Sequence, residues 1–166
     1  IKKGIILPSQ APKWMLSREK LWNHVELCEK RKDSQLARRF GMALPNEFTA
    51  KVNIELSQVY IKQQFISLGM IADYFVFYSG KSVNSYLIVL TTMREVSDQG
   101  FERKAIGWNK KDLHIKWREE WANILNKYLV YNGHSNQKVT HKSLASQGID
   151  LLPQGKSAPI GSRDRL

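Results

Sequence analysis

Apolar residues recur every three or four positions in three segments of the chain, and this spacing predicts three amphipathic helices. Ser17 can cap the first helix, whose apolar stripe carries it to about Lys30. Thr49 begins the second helix, which ends at Gly69 because glycine readily closes the last turn of a helix. The face opposite the first stripe is charged, so this helix is expected to pack one side on a core.

The third helix is the longest and carries two tryptophans. A polar loop through Gly107 precedes it, and Asn109 and Asp112 stand three apart, as in a capping box with Asp in place of Glu. Trp117 and Trp121 then fall on the apolar stripe, one turn apart. Large aromatic side chains in this arrangement are typical of core anchors rather than of a ligand platform.

Four other segments have the composition of strands. A short apolar run covers 5–7, apolar residues alternate within 36–45, and two β-rich runs cover 70–78 and 83–93, separated by the hairpin-length SGKS. Strands separated by helices, with one clear antiparallel hairpin, predict an α+β fold in which an antiparallel β-sheet is flanked by α-helices. The alternative is a doubly wound parallel sheet, which the hairpin argues against.

The charge of the chain narrows the choice of partners. A formal net charge of +11 and a pI near 9.8 favour polyanions, and nucleic acid is the usual polyanion for a basic domain with interspersed aromatics. The alternative is a basic protein that is ribosome-associated or simply soluble. The single cysteine, Cys28, excludes an internal disulfide and predicts a reducing, cytoplasmic setting. No apolar run is long enough to span a bilayer, so no membrane partner is expected.

Side chains with catalytic potential form no local motif. The histidines do not pair at metal-ligand spacing, and His24 and His114 are predicted to be solvated on helix surfaces. Glu29 lies on a charged helix face, where a solvated carboxylate is expected. No tyrosine has an evident base or metal ligand beside it in the sequence.

Basic residues gather at two places. EKRKDSQLARR joins the first helix to a strand, and WNKKDL begins the third helix. Lys and Arg beside the backbone amides of a helix start favour anions. Phosphate contacts are therefore expected from Lys30, Arg31, Lys32, Arg38, Arg39, Lys110 and Lys111. A solvated run of charge is the alternative.

Longer segments resemble a known family. LWNHVELCEKRKDSQLARRFGMALP, GMIADYFVFY, LIVLTTM, WNKKDLHIKWREEWANILNKYL and THKSLASQGIDLLP follow the order and spacing of the relaxase domain of the MobA/MobL family, as in conjugative transfer proteins of the TraA type. The resemblance predicts one domain over residues 1–153 and a flexible tail over 154–166. It implies a relaxase-like, HUH-type endonuclease fold lacking its first strand, because the family's tyrosine-bearing strand would precede Ile1.

The resemblance also implies a chemistry whose residues are replaced here. Members of the family attack a DNA phosphodiester with a tyrosine, aided by a divalent metal such as Mg²⁺ or Mn²⁺ held by three histidines. Aligned with that pattern, the histidine positions hold Phe77, Ser85 and Leu87, which are poor metal ligands or none. Arg39 and Gly41 stand where carboxylates are expected. No catalytic residue and no metal cofactor are therefore expected in this chain.

His141 matches a family histidine, and with Lys142 it is expected in a DNA-facing loop. The resemblance thus predicts a domain that binds single-stranded plasmid DNA near the transfer origin but has lost nicking. One alternative is an active relaxase that uses Tyr86 or Tyr78 with an unusual metal site. Another is a structural remnant whose open sheet edge pairs with a protein partner. A third is a decayed gene without a selected function.

Overall fold

Strands and helices alternate along the chain in the computed structural model, which describes residues 1–78 and 84–149. The strands are β1 (Lys2–Ile6), β2 (Ala37–Ala43), β3 (Ala72–Phe77), β4 (Tyr86–Thr92), β5 (Arg94–Ser97) and β6 (Gly100–Lys104). The helices are α1 (Arg18–Cys28), α2 (Ala50–Gln64) and α3 (Lys111–Tyr131). The predicted SGKS loop, the whole predicted tail and the predicted domain boundary after residue 153 lie outside the described residues.

Four of the strands form one antiparallel sheet in the order β1-β3-β4-β2, and β5 pairs with β6 in a separate hairpin. β3 and β4 are neighbours, as the sequence predicted, with Ala72 opposite Thr91 and Phe77 opposite Tyr86. Residues directly opposite each other in an antiparallel pair have their side chains on the same face, and side chains alternate along each strand. The register therefore assigns each strand residue to one of two faces.

The face covered by α2 and α3 holds the larger core. Its members from the two central strands are Ala72, Tyr74, Val76, Leu87 and Val89. Phe40 of β2 stacks on Phe65 with ring centroids 4.6 Å apart and meets Trp117 edge-on at 5.2 Å. Trp121 packs edge-on against Tyr60 at 5.0 Å. The prediction that both tryptophans anchor the core is confirmed, since Trp117 is buried and Trp121 packs against the same cluster.

Among residues 1–78 and 84–149, the segments that cover the opposite face of the sheet lie at one end only. A second, smaller core lies there beneath α1 and the β5–β6 hairpin, built on Met15, Leu21, Ile71 and Val96. The buried Asp73 carboxylate accepts hydrogen bonds from Arg18 at 2.6 and 2.7 Å and from Trp22 Nε1 at 3.0 Å. Further along this face, Tyr86 is 41% exposed and a Cβ placed on Gly41 would meet no atom within 4 Å. We call this uncovered end the open face.

The helix starts were predicted correctly in two cases of three. The Ser17 hydroxyl accepts a hydrogen bond from the Lys20 amide, and the Thr49 hydroxyl accepts one from the Val52 amide. The capping box predicted for α3 is wrong, because Lys110 is the capping position and makes no side-chain capping bond. Within residues 1–78 and 84–149, no helix combines the length and apolar character needed to cross a bilayer.

The polar loop predicted before α3 is wrong in part, because that segment contains the β5–β6 hairpin. Val96 lies opposite Phe101, and Ser97 lies opposite Gly100, whose φ of 124° closes the turn. The hairpin directs Val96 and Phe101 into the smaller core. One apolar residue per strand is too weak a pattern for alternation to reveal, so only packing identifies these strands.

Candidate functional site

A cleft of about 540 Å³ runs along the free edge of β2. Residues 38–43 form one wall, α3 forms the second, and the segment Val139–His141 forms the third. Its ionisable lining includes Arg38, Arg39, His114, Arg118 and His141. None of the described residues that line it is acidic. We call this feature the basic cleft, and its composition favours a bound anion.

Arg38 is fixed inside the basic cleft by protein acceptors. Its Nη1 donates to the Trp108 carbonyl at 2.7 Å and also contacts His114 Nε2, while Nη2 donates to Asn109 Oδ1. Burial lowers the pKa of Arg38 from its ordinary value. Arg38 therefore links β2 to the start of α3. The Asn109 side chain, which was predicted to cap α3, instead accepts a hydrogen bond from Arg38.

His114 is not the solvated surface residue predicted from its helix. Its ring is half-buried, stacks on Trp117 with centroids 5.4 Å apart, and contacts the Arg38 guanidinium through Nε2. His24 was likewise predicted to be solvated, yet its half-buried ring lies between Trp14 at 5.1 Å and Phe101 at 5.7 Å. Both histidines pack against aromatic rings, so the prediction that they are solvated, which was based on their helical positions alone, is wrong.

The basic cleft has three further basic side chains besides Arg38 and His114. Arg39 and Arg118 are exposed, and His141 is half-buried. The third wall is held against α3 by Asn126, whose amide donates to the Val139 carbonyl at 2.9 Å and accepts from the Val139 N–H at 2.8 Å. The structure thus brings three predicted nucleic-acid contacts, Arg38, Arg39 and His141, into one cleft and adds Arg118, which the sequence did not single out.

Other predicted cations lie in a separate recess of about 660 Å³ beside the end of α1. Lys30 and Arg31 line it together with Arg94 and Lys104 and with two carboxylates, those of Glu29 and Asp33. We call it the mixed recess. Arg31 forms an ion pair with Asp33 at 2.7 Å, and both side chains are more than two-thirds exposed. Three of the four cations here, Arg31, Arg94 and Lys104, form ion pairs with carboxylates of the recess, whereas the described lining of the basic cleft has no carboxylate.

The prediction that the Glu29 carboxylate is solvated is wrong. Its side chain is only 7% exposed and pairs with Arg94 at 3.0 Å and Lys104 at 3.1 Å. Burial by itself opposes ionisation, but hydrogen bonds led by that from Lys104 outweigh it and hold the pKa of Glu29 below its ordinary value. Arg94 also donates to the Cys28 carbonyl at 3.1 Å, so the cluster fastens the end of α1 to the hairpin.

The last four predicted nucleic-acid contacts belong to neither depression. Their side chains are exposed: Lys32, Lys110, Lys111 and Lys142. They add positive charge to the surface without forming a site with one another. Their assignment as phosphate contacts stays a prediction.

The three metal-ligand positions inferred from the family do not converge. Phe77 lies opposite Tyr86 and shares its face, so Ser85 and Leu87, which flank Tyr86, point to the opposite face. Leu87 is fully buried in the larger core, and the Ser85 backbone is bonded at its N–H by Asn46 and at its carbonyl by Leu44. These residues do not fit a divalent metal, because two lack donor atoms and the third is separated from one of them by the sheet. Within the described ranges, no group of three His, Cys, Asp or Glu side chains could hold a metal ion.

The two tyrosines considered as substitute nucleophiles are not activated by their surroundings. Burial, with a smaller contribution from Tyr74, raises the pKa of Tyr78 and so disfavours its phenolate. Tyr86 instead stacks on Phe77 with ring centroids 4.5 Å apart and planes 15° from parallel. Phe75 continues this line at 6.4 Å from Phe77. We call Phe75, Phe77 and Tyr86 the aromatic row.

Comparison with known proteins finds a family and relatives that agree with one another. The model of the MobA/MobL family matches residues 1–163. The conjugal transfer protein TraA of Agrobacterium fabrum is 31% identical over 92% of this chain, and that of Rhizobium radiobacter is 32% identical over the same share. The probable mobilization protein MobA of Bifidobacterium longum is 24% identical, again over 92%. The chain spans 16% of the length of the two TraA proteins and 34% of that of MobA.

A solved structure supports the same relationship. It comes from work on the molecular basis of vancomycin resistance transfer in Staphylococcus aureus, and it matches with a TM-score of 0.79 and 36% identity over 86% of this chain and 76% of that one. The predicted α+β fold, an antiparallel sheet flanked by helices, is confirmed. This chain belongs to the MobA/MobL family of conjugal transfer relaxases.

Proposed function

We propose that this domain binds single-stranded DNA of a conjugative element near its transfer origin and does not nick it. The observation that carries the proposal is the basic cleft, where Arg39, Arg118 and His141 lie around Arg38 without a described carboxylate among the lining residues. Arginine guanidinium groups match phosphate oxygens well because they offer several donors in a fixed plane. The family relationship supports DNA as the polyanion.

The shape of the basic cleft favours a flexible chain over a duplex. A depression of about 540 Å³ along one strand edge has the scale of a few nucleotide units rather than of a rigid double helix. Grooves for single-stranded nucleic acid commonly combine cations that follow the phosphates with aromatic side chains that contact the bases. Here Arg38 lies on the α3 side of β2, whereas Arg39 shares the opposite face of the sheet with the aromatic row. Cations and aromatic rings therefore both lie beside β2, which supports a single-stranded ligand.

The absence of nicking follows from the residue types at the three metal positions. Without ligands, no metal can polarise the scissile phosphate, and this contribution is large in phosphoryl transfer. Burial raises the pKa of Tyr78, and no base or cation is in hydrogen-bond contact with Tyr86 among the described residues. Binding therefore persists in this proposal while the chemistry is lost.

The proposal is tested by fluorescence anisotropy of a labelled 20-nucleotide single strand, titrated with protein from 50 to 300 mM salt, with and without Mn²⁺. We expect binding that weakens with salt, by roughly 0.7 in the log–log slope for each phosphate neutralised, and that ignores the metal. A Kd that does not respond to salt, or no binding at 50 mM salt, would remove DNA binding from the function.

Loss of nicking needs a separate assay. The protein is incubated with a 5′-labelled transfer-origin strand and Mg²⁺ or Mn²⁺, alongside a MobA/MobL domain that retains all three histidines. We expect cleaved and covalently attached products from the second protein only. A product from the present chain that disappears in Tyr86→Phe or Tyr78→Phe would establish the active-relaxase alternative instead.

A further inference from the structure

The aromatic row on the open face is a stack that is closed at one end only. Phe75, Phe77 and Tyr86 follow one another with planes 23° and 15° from parallel. The Arg18 guanidinium lies 4.7 Å from the centroid of Phe75 and closes that end. At the other end Tyr86, the first residue of the central strand β4, remains 41% exposed. A planar group placed there would extend the stack.

The charge around the aromatic row suits a phosphodiester chain. Lys3 lies opposite Phe75, and the register puts the exposed Arg39 on the same face. The acidic member of this face is Asp73, which is buried and fully occupied by Arg18 and Trp22. A ligand approaching this part of the sheet therefore meets cations and aromatic surface, which is the combination that binds single-stranded nucleic acid.

The aromatic row is also continuous with the basic cleft. Gly41 and Ala43 line the cleft, and in the sheet they lie opposite Ile88 and Tyr86. Because these two side chains are minimal, and a Cβ at Gly41 would meet no atom within 4 Å, no bulky residue of β2 separates the cleft from the row. A strand held in the cleft can cross the edge of the sheet at this point.

We propose that the aromatic row is a base-stacking site, in which a base of the single strand bound in the basic cleft stacks on Tyr86. This inference rests on the proposed DNA binding and adds the residue that contacts a base. Phe77 stands where the family pattern has a metal ligand, so the replacement that removes the metal also supplies the second ring of the stack.

Other occupants fit the aromatic row less well. A second copy of this chain would bring a formal charge of +11 against the same charge, which disfavours pairing of these faces. Duplex DNA already stacks its bases internally and cannot offer one to Tyr86. A single strand suits both the aromatic row and the positive charge around it, since its unstacked bases are planar rings and its backbone is negatively charged.

The test compares Tyr86→Ala with Tyr86→Phe and with Tyr131→Ala in anisotropy titrations of oligo-dT. Tyr131 is the matched control, because it is 89% exposed at the end of α3 and far along the chain from the row. Loss of one base–aromatic stack raises Kd by roughly five- to 150-fold. We expect this loss for Tyr86→Ala, a change within about twofold for Tyr86→Phe, which keeps the ring, and none for Tyr131→Ala.

A second readout changes the ligand as well as the protein. An oligonucleotide with abasic sites keeps its phosphates but has no ring to stack. We expect it to bind the unaltered protein more weakly than oligo-dT, and we expect Tyr86→Ala to cause no further loss with it. Equal Kd values for Tyr86→Ala and the unaltered protein on oligo-dT would overturn base stacking while leaving DNA binding in place. No binding of any oligonucleotide by the unaltered protein would overturn both.

Discussion

The basic cleft and the mixed recess have similar numbers of cations but differ in what surrounds them. In the cleft, Arg39 and Arg118 are lining residues together with Trp117 and Trp121, and no described residue of the lining is a carboxylate. In the recess, Arg94 and Lys104 close on the buried Glu29, and Arg31 pairs with Asp33. The recess uses its charges to join α1 to the β5–β6 hairpin. The cleft leaves its charges available to a ligand.

The difference shows that net charge and available charge are separate properties. The value of +11 predicted a polyanion partner, and the clusters EKRKDSQLARR and WNKKDL predicted where it would bind. The structure divides the first cluster, because Lys30 and Arg31 go to the recess while Arg38 and Arg39 go to the cleft. Neighbouring carboxylates then decide which part of the cluster can attract phosphate.

The largest expected effect comes from removing a buried aromatic residue that lines the basic cleft. Trp117 is buried against Phe40 and Phe65, and Tyr60 donates a hydrogen bond to its carbonyl at 2.9 Å. Trp117→Ala is expected to lower the free energy of unfolding by about 3–5 kcal/mol, because it leaves a cavity in the larger core. The control is Gln35→Ala in the exposed lining of the recess, expected within about 0.5 kcal/mol of the original. Urea unfolding measures both, and a loss below about 1 kcal/mol for Trp117→Ala would contradict its burial in the larger core.

The next effect concerns the buried carboxylate of the mixed recess. Glu29→Gln is expected to lower the free energy of unfolding by about 1.5–3 kcal/mol at pH 7, because Arg94 and Lys104 lose a charged acceptor. The matched control is Asp33→Asn, whose pair with Arg31 is exposed and is expected to contribute less than about 0.5 kcal/mol.

The same substitution has a defined dependence on pH. The pKa of Glu29 is lower in the folded state than its ordinary value, so the folded state holds fewer protons than the unfolded state in the acid range. Its stabilisation is complete above the ordinary carboxyl pKa and is lost as the pH falls through the folded pKa. The difference between Glu29→Gln and the original should therefore shrink in acid. A difference that stays constant down to pH 3 would contradict the ion pair.

The smallest effect tests the comparison of the two regions directly. Two double variants remove equal charge from the two regions. The cleft variant is Arg39→Gln with Arg118→Gln, and the recess variant is Lys30→Gln with Arg31→Gln. For the cleft variant we expect a salt slope on single-stranded DNA shallower by roughly 1.4 and a Kd about tenfold higher at 0.1 M salt. The recess variant should change the slope by less than half as much. Equal changes would mean that net charge, and not the cleft, governs binding.

Much of the architecture was predictable because it is encoded by local patterns. Apolar spacing gave the three helices, Ser17 and Thr49 gave two of their starts, and β-rich runs gave the central hairpin of β3 and β4. The β5–β6 hairpin escaped prediction, because Val96 and Phe101 become recognisable as strand residues only through the core they join.

The sequence by itself determined the helices, the central strands and the family, since each of these depends on residue type and short-range order. The replacement of metal ligands by Phe77, Ser85 and Leu87 stays a prediction from the same source. Tertiary structure decided which charged side chains are held by contacts within the protein. Arg38 meets His114 across 76 residues, and Glu29 meets Lys104 across 75. No local pattern reports such contacts, because they exist only after packing brings distant segments together and excludes water from between them.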